Sequence, residues 1–388
     1  MWAIPRASAR ADGADAASAP DRSNGIGLAA AALLEGLYLE PACGRQDFRS
    51  IGNLPRPRLT QLTKGVFAMI IERGKGKVGV VGTGMVGCSF AYSLMQSGVA
   101  SEMVLVDKDG KRAEGEAMDL NHGLPFMRPM RIQAGGYDLL AGADVVVICA
   151  GANQKPGETR LDLLQKNTTV FRDVIPKVAA AAPNTIILVV TNPVDILTQL
   201  SADLAKLPAG RVIGSGTTLD TARFRFNLGD YYEVDPRSVH AYVVAEHGDS
   251  AVPVWSHANV AGVPLRKFRG PTGKAFDEAA MQRLWVQGTR DAAYAIIEGK
   301  GSTYYAIGVA VLTIVEAILR DQRTVLTVGA PMQGQFGVEG MALSLPTVVG
   351  HNGAEEILDI PMDKDEVALF QKSAQLLKNR LAEALSSC

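Results

Sequence analysis

The chain is 388 residues long, 47% hydrophobic and 20% charged, with a formal net charge of -1. The length suits roughly two to three domains, and the composition suits a large buried core. The near-zero charge gives no sign of a nucleic-acid or membrane-surface partner, and no stretch reaches the roughly 18 apolar residues of a spanning helix. Neither nucleic acid nor membrane is therefore expected as a partner. Cys43, Cys88, Cys149 and Cys388 lie far apart. They have neither disulfide-scaffold nor metal-site spacing, which predicts a reducing, cytoplasmic setting and no metal.

Residues 1–75 are rich in Ala, Arg, Ser, Pro and Gly and hold no persistent strand or helix period. They read as an extension, either disordered or preceding a misassigned start, with Met69 as the alternative first residue. Asp12, Asp15 and Asp21 argue against a mitochondrial presequence despite Arg6, Arg10 and Arg22. The apolar run 27–33 is followed by Glu35 and has no basic segment directly before it, which argues against a secretory signal.

From Lys77 the pattern changes. Lys77 to Val81 is a β-branched run ending in glycines, and Val86 to Gln96 has helical periodicity. Met103 to Val106 is a further short strand. Ala143 to Ala150 and Thr185 to Val190 are apolar enough to be buried on both faces. A helix is predicted over Arg160 to Ala182. Strands alternating with helices imply an α/β fold, a Rossmann-type doubly wound parallel sheet over 76–217. Over 218–388 the pattern becomes α+β. Helices are predicted at Asp220 to Leu228, Asp277 to Glu298, Thr303 to Leu319 and Lys364 to Leu385. Strands are predicted at Val239 to Ala245, Thr324 to Val328 and Met341 to Val349.

Gly82-Thr-Gly84-Met-Val-Gly87 follows a predicted strand and opens a helix, and Asp107 stands 20 residues after Gly87, closing the next strand. The glycines allow a tight turn and close approach of backbone to a pyrophosphate at a positive helix end. The Asp107 carboxylate can accept from a ribose hydroxyl and would repel a 2′-phosphate, which favours NAD over NADP.

Interconverting a 2-hydroxy acid and its 2-oxo acid with a nicotinamide cofactor would require a proton shuttle, a cation for the substrate carboxylate, a charge that polarises the carbonyl, and exclusion of water. His247 lies in Ala245-Glu-His-Gly-Asp-Ser250 after a strand, and imidazole suits a proton shuttle. Asp220 and Arg223 are three apart, so one helix face presents both. A guanidinium there could clamp a carboxylate. Arg160 ends Gln154-Lys-Pro-Gly-Glu-Thr-Arg160, a loop after a strand, where sites in open α/β sheets lie. Asn192 follows the next strand. Each residue alone has a plainer reading: a structural histidine, a surface ion pair, a helix-start arginine, an Asn-Pro turn.

Taken together, these segments resemble the L-lactate/malate dehydrogenase family, in its bacterial lactate branch. The likeness spans about residues 77–385 and rests on six motifs in the family's order. They are the glycine fingerprint, Asp119-Leu-Asn-His-Gly-Leu-Pro125, the Ala150 to Arg160 segment, Thr191-Asn-Pro-Val-Asp195, Leu219-Asp-Thr-Ala-Arg223 and Glu246-His-Gly-Asp249. One departure is Ala245, where the family usually carries glycine.

The resemblance implies NAD-dependent interconversion of pyruvate and L-lactate. His247 would be the acid/base with Asp220 as its partner, and Arg160 would polarise the carbonyl from a mobile lid. Arg223 would clamp the carboxylate, with Gln154, Asn192 and Thr303 completing the substrate pocket. It adds Val86, Arg112, Tyr137, Gly151, Ala152, Thr191, Asn192 and Ser215 to Gly82, Gly84, Gly87 and Asp107 around the cofactor. It further implies a homotetramer activated by fructose 1,6-bisphosphate at Arg225 and His240. Arg225 follows Arg223 by two residues, so on a helix the two face opposite ways. Malate dehydrogenase is the alternative within the fold. A non-catalytic dinucleotide sensor is the distant one, and it would not require His247, Asp220, Arg223 and Arg160 together.

Overall fold

The computed structural model describes residues 76–152 and 160–386. The expectations for residues 1–75, and for Gln154, lie outside the described residues.

The first strand, β1 (Lys77–Val81), leads into α1 (Met85–Ser97). Gly87, Phe90, Ala91, Leu94 and Met95 form the buried stripe of α1, at the spacing of one helical face. Gly98, at φ 62°, ends the helix in the left-handed region. There follow β2 (Glu102–Val106), α2 (Gly110–Gly123), β3 (Arg131–Ala134) and β4 (Val145–Ile148), then α3 (Arg160–Ala181), β5 (Ile186–Val189), α4 (Val194–Ala205), β6 (Val212–Gly214) and α5 (Thr218–Tyr232). The four residues of β4, Val-Val-Val-Ile, are all buried, as a strand covered on both faces requires.

Strands β7 (Val239–His240), β8 (Val243–Ala245), β9 (Ala251–Pro253), β10 (Asn259–Val260) and β11 (Val263–Pro264) come next. After them the chain forms α6 (Glu278–Arg283), a π-helical segment Leu284–Arg290, α7 (Ala292–Lys300) and α8 (Tyr305–Leu319). The last elements are β12 (Thr324–Leu326), β13 (Gly329–Gln333), β14 (Glu339–Ser344), β15 (Thr347–Gly350), β16 (Gly353–Ile357) and α9 (Lys364–Ser386).

The main sheet has the order β3-β2-β1-β4-β5-β6-β13-β14-β8-β9. Its first six strands are parallel, in the doubly wound order that opens a crevice between β1 and β4. The last four are antiparallel and extend the same sheet. The fold is thus α/β, a Rossmann unit followed by an α/β portion.

Three predicted elements do not run unbroken. Val239 to Ala245 breaks at Ala241 and Tyr242: β7 pairs with β10 in a small sheet, whereas β8 pairs with β9 and β14. At the step, backbone groups find partners outside the ladder. The Ala241 carbonyl accepts from Arg225 Nε at 2.9 Å, and the Tyr242 carbonyl from the Val254 amide. Met341 to Val349 breaks at Pro346, which has no N–H to donate, so β14 and β15 join different sheets. Asp277 to Glu298 widens into the π segment. There Asn227 Nδ2 donates to the Gly288 carbonyl at 2.7 Å and to Thr289 Oγ1, an intrusion of the kind that breaks a regular ladder. Short strands such as β9, β10 and β11 gave no period long enough to read.

Candidate active site

The crevice between β1 and β4 is built by backbone. Gly82 has φ +100°, a conformation that favours glycine, and a Cβ on Gly87 would collide with the Gly82 carbonyl oxygen. The space above Gly84 is open to 4 Å. No side chain caps α1, so its first amides remain for an anion. Asp107 Oδ2 accepts from the amide and hydroxyl of Thr83 at 2.7 and 3.0 Å, and Oδ1 from the Asp109 amide at 3.0 Å. Burial alone would raise the Asp107 pKa, but these donors and Arg112 bring it below the usual carboxylate range. Asp107 is therefore a fixed anion at the end of β2. These residues fit a dinucleotide.

Across the crevice, a Cβ on Gly151 would meet the Thr191 methyl, and Thr191 Oγ1 donates to the Ala150 carbonyl at 2.8 Å. Asn167 joins the walls: its Oδ1 accepts from the Ala152 amide at 2.7 Å, and its Nδ2 donates to the Asn192 carbonyl at 2.8 Å. The Ser215 amide pairs with Val189 at the end of β5. Val86 is half-buried on the first turn of α1, and Arg112 is exposed on α2. Tyr137 is half-buried beneath Lys177, whose Nζ lies 5.7 Å from the ring centroid.

Asn192 also lines a cavity of about 550 Å³, together with Asp220, Arg223, His247, Trp285, Arg290 and Arg380, among others. Asp220, on the first turn of α5, holds two cations. Its Oδ2 lies 2.5 Å from His247 Nδ1, and its Oδ1 accepts from Arg223 Nη1 at 3.1 Å. The negative charge of Asp220 raises the His247 pKa to about 9 against the opposing effect of burial, with Asp195 adding to it. For Asp220, burial pushes upward, but His247 and Arg223 outweigh it and hold the carboxyl below its ordinary value. The structure thus brings together His247, Asp220, Arg223 and Asn192. Arg160 begins α3, and its side chain lies outside the described residues. Thr303 is half-buried ahead of α8 and does not line the cavity.

Two acids behind His247 had no assigned role in the sequence reading. Asp195, on the first turn of α4, accepts from the His247 amide at 2.8 Å through Oδ2. Its Oδ1 is buried without a hydrogen-bond partner among the described residues. Burial raises its pKa to about 7, the His247 amide opposes this, and Glu246 and Asp220 add to it. Glu246, 5% exposed, accepts from Arg380 Nη1 at 3.0 Å. Both acids stood inside quoted motifs. An acid on a helix's first turn reads as a dipole partner, however, and only the packing shows what it faces. The assigned departure, Ala245, has φ 71° in the turn before Glu246, a left-handed conformation that a Cβ disfavours.

Arg225 does turn away from Arg223. It donates to the Ala241 carbonyl and lies 5.2 Å from the Tyr242 ring centroid, beside exposed His240.

Residues 76–214 match the model of the lactate/malate dehydrogenase NAD-binding domain, and residues 217–387 that of the alpha/beta C-terminal domain of the same family. The L-lactate dehydrogenase of Thermoanaerobacter sp. (strain X514) is 47% identical over 307 residues, 79% of this chain and 98% of that protein. The L-lactate dehydrogenase of Bacillus caldotenax is 49% identical over 314 residues, 80% of this chain and 98% of its own. Among solved structures, the minor L-lactate dehydrogenase from Enterococcus mundtii aligns with a TM-score of 0.77 at 42% identity, covering 80% of this chain and 98% of that one.

Proposed function

The chain belongs to the lactate/malate dehydrogenase family, and from that membership we propose that His247 moves the proton as pyruvate and L-lactate interconvert. Its activity is that of an NAD-dependent L-lactate dehydrogenase. The observation that carries the proton role is the double engagement of Asp220, 2.5 Å from His247 and 3.1 Å from Arg223.

When bound, NADH supplies the hydride that goes to the keto carbon. Asp220 holds Nδ1 of His247, which leaves Nε2 for the substrate oxygen. With its pKa raised to about 9, His247 is an imidazolium at neutral pH and gives that oxygen its proton. Arg223 holds the substrate carboxylate, and its bond to Asp220 fixes its direction. Arg160 stabilises the charge that develops on the oxygen. The family resemblance gives neutral Gln154 the choice of substrate side chain, since a second carboxylate beside a neutral amide would be buried without a counter-charge. Residues 76–217 hold the cofactor and 218–388 the substrate. No helix among the described residues is long and apolar enough to cross a membrane.

Regulation belongs to the same proposal. Arg225 reaches the carbonyl of the residue after His240, so Arg225 and His240 sit on touching segments. One segment continues to Arg223 and the other to His247. A sugar bisphosphate bound there, between subunits of a tetramer, would bias both catalytic groups and favour assembly.

The deciding experiment follows the NADH absorbance with pyruvate and with oxaloacetate, for the parent and for His247→Asn. Pyruvate-dependent oxidation that is lost in the variant is the expected result. Equal use of oxaloacetate would instead support the malate reading.

A further inference from the structure

We propose that Arg380, on the closing helix α9, is a positioning residue for the reaction, holding Glu246 so that the adjoining His247 stays on Asp220. The inference rests on the activity proposed above.

Glu246 is a buried acid next in sequence to His247, and both it and Arg380 lie in the wall of the cavity. Oε1 accepts from Arg380 at 3.0 Å. Oε2 accepts from the Ser250 amide at 3.0 Å and from the Ser250 hydroxyl. The Glu246 amide donates to Ser373 Oγ at 3.3 Å, and Ser373 Oγ lies 2.7 Å from Ser250 Oγ. Two residues of α9 on one helical stripe, Ser373 and Arg380, therefore grip the residue before His247 through both its backbone and its side chain. The helix also packs on β8 and β9, the strands either side of the turn.

The turn needs a grip. Ala245, at the end of β8, enters it in a left-handed conformation, φ 71°, that a Cβ disfavours. Gly248 lies against the Glu246 carboxylate, with Cδ 3.0 Å from where its Cβ would be. A Glu246 released from Arg380 would therefore carry both neighbours with it. His247 would then drift from Asp220, which sits on a different element, α5. Arg223 is held by Asp220 on α5 and not by this turn. Loss of Arg380 should therefore impair the proton step and spare substrate binding.

The test compares full-length Arg380→Gln, Arg380→Lys and Ser373→Ala with the parent, measuring kcat, pyruvate KM, the pH profile of kcat/KM and Tm. R380Q should lose roughly tenfold or more in kcat with KM changed less than about threefold. Its alkaline limb should move to lower pH, since a loosened His247 loses the raising effect of Asp220. R380K, which keeps a donor and a charge for Oε1, should recover most of the loss. S373A should move kcat and the limb in the same direction by less, and it decides the matter by those readouts should R380Q not fold. Parent-like kcat and pH profile in R380Q, whatever its Tm, would overturn the role. So would a KM that rises while kcat holds, which would make Arg380 a substrate contact. A parent that does not oxidise NADH with pyruvate overturns the activity and this role together; an active parent with an indifferent R380Q overturns only the role.

Discussion

Nδ1 of His247 lies 2.5 Å from Oδ2 of Asp220, and the acid's other oxygen is engaged by Arg223. The contact sets the pH range of the reaction. With the His247 pKa raised to about 9, pyruvate reduction, which needs the imidazolium, should be flat through neutrality and fall as pH rises through about 9. Lactate oxidation needs the neutral ring and should rise across the same interval. Asp220→Asn removes the largest raising influence, so both limbs should move to lower pH and kcat should drop by at least about tenfold. A pH profile unchanged in D220N would disprove the assignment. For stability the sign is fixed by the raised pKa. The His247–Asp220 contribution is complete below the ordinary histidine value and is lost as pH rises through about 9.

A second acid acts on the same ring from behind. Asp195 takes the His247 amide at 2.8 Å and raises the imidazole's pKa, though less than Asp220 does. Asp195→Asn keeps an oxygen for that amide and removes the charge. The limb should shift to lower pH by less than in D220N, with pyruvate KM nearly unchanged. A limb at the parent position would show that Asp195 is neutral in the working enzyme.

How much of this was legible in the sequence follows from what each feature depends on. The glycine loop, Asp107 and the Asp220–Arg223 pair depend on spacing along one element, and a sequence displays spacing. The parallel strands depend on continuous apolar runs such as 145–148. The grip on Glu246 depends on residues 127 and 134 positions away, and no local period encodes that. The breaks at Tyr242 and Pro346 likewise depend on which sheet receives each half. Ala245 stood out only by contrast with relatives, and its φ of 71° supplies the physical reason.

That φ makes Ala245→Gly an informative substitution. Relief of the left-handed backbone is worth about 1–2 kcal/mol. Against it stand the entropy of a new glycine, about 0.5–1 kcal/mol, and one buried methyl, about 0.8 kcal/mol. The terms nearly cancel, so A245G should stay within about 1 kcal/mol of the parent. Ala342, equally buried in β14 without a positive φ, has no strain to relieve, and A342G should cost about 1–2 kcal/mol more than A245G. Equal unfolding free energies for the two variants would remove the case for strain at 245.

Substrate choice is predicted to rest on Gln154, which lies outside the described residues. Burying the second carboxylate of oxaloacetate beside a neutral amide costs several kcal/mol, so kcat/KM should favour pyruvate by at least about a hundredfold. Gln154→Arg supplies the missing charge and should shift the ratio towards oxaloacetate. A ratio that does not move would place the specificity determinant at another residue.

The effector prediction turns on Arg225 and His240. Arg225 is already tied to the Ala241 carbonyl and the Tyr242 ring, and burial lowers its pKa. A partly buried cation of this kind is held ready for an anion rather than spread in solvent. His240 is exposed on β7 and pairs through its backbone with Asn259, so its side chain can be removed without disturbing the strand. Fructose 1,6-bisphosphate titrated at subsaturating pyruvate should lower the apparent pyruvate KM and increase the oligomer size seen in sedimentation. His240→Ala should weaken activation by roughly tenfold in effector concentration while leaving the fold intact. Arg225→Gln should weaken it further, with an added loss of stability from the Ala241 and Tyr242 contacts. Parent enzyme whose pyruvate KM and assembly ignore the effector would end the proposal. So would full activation surviving in both variants.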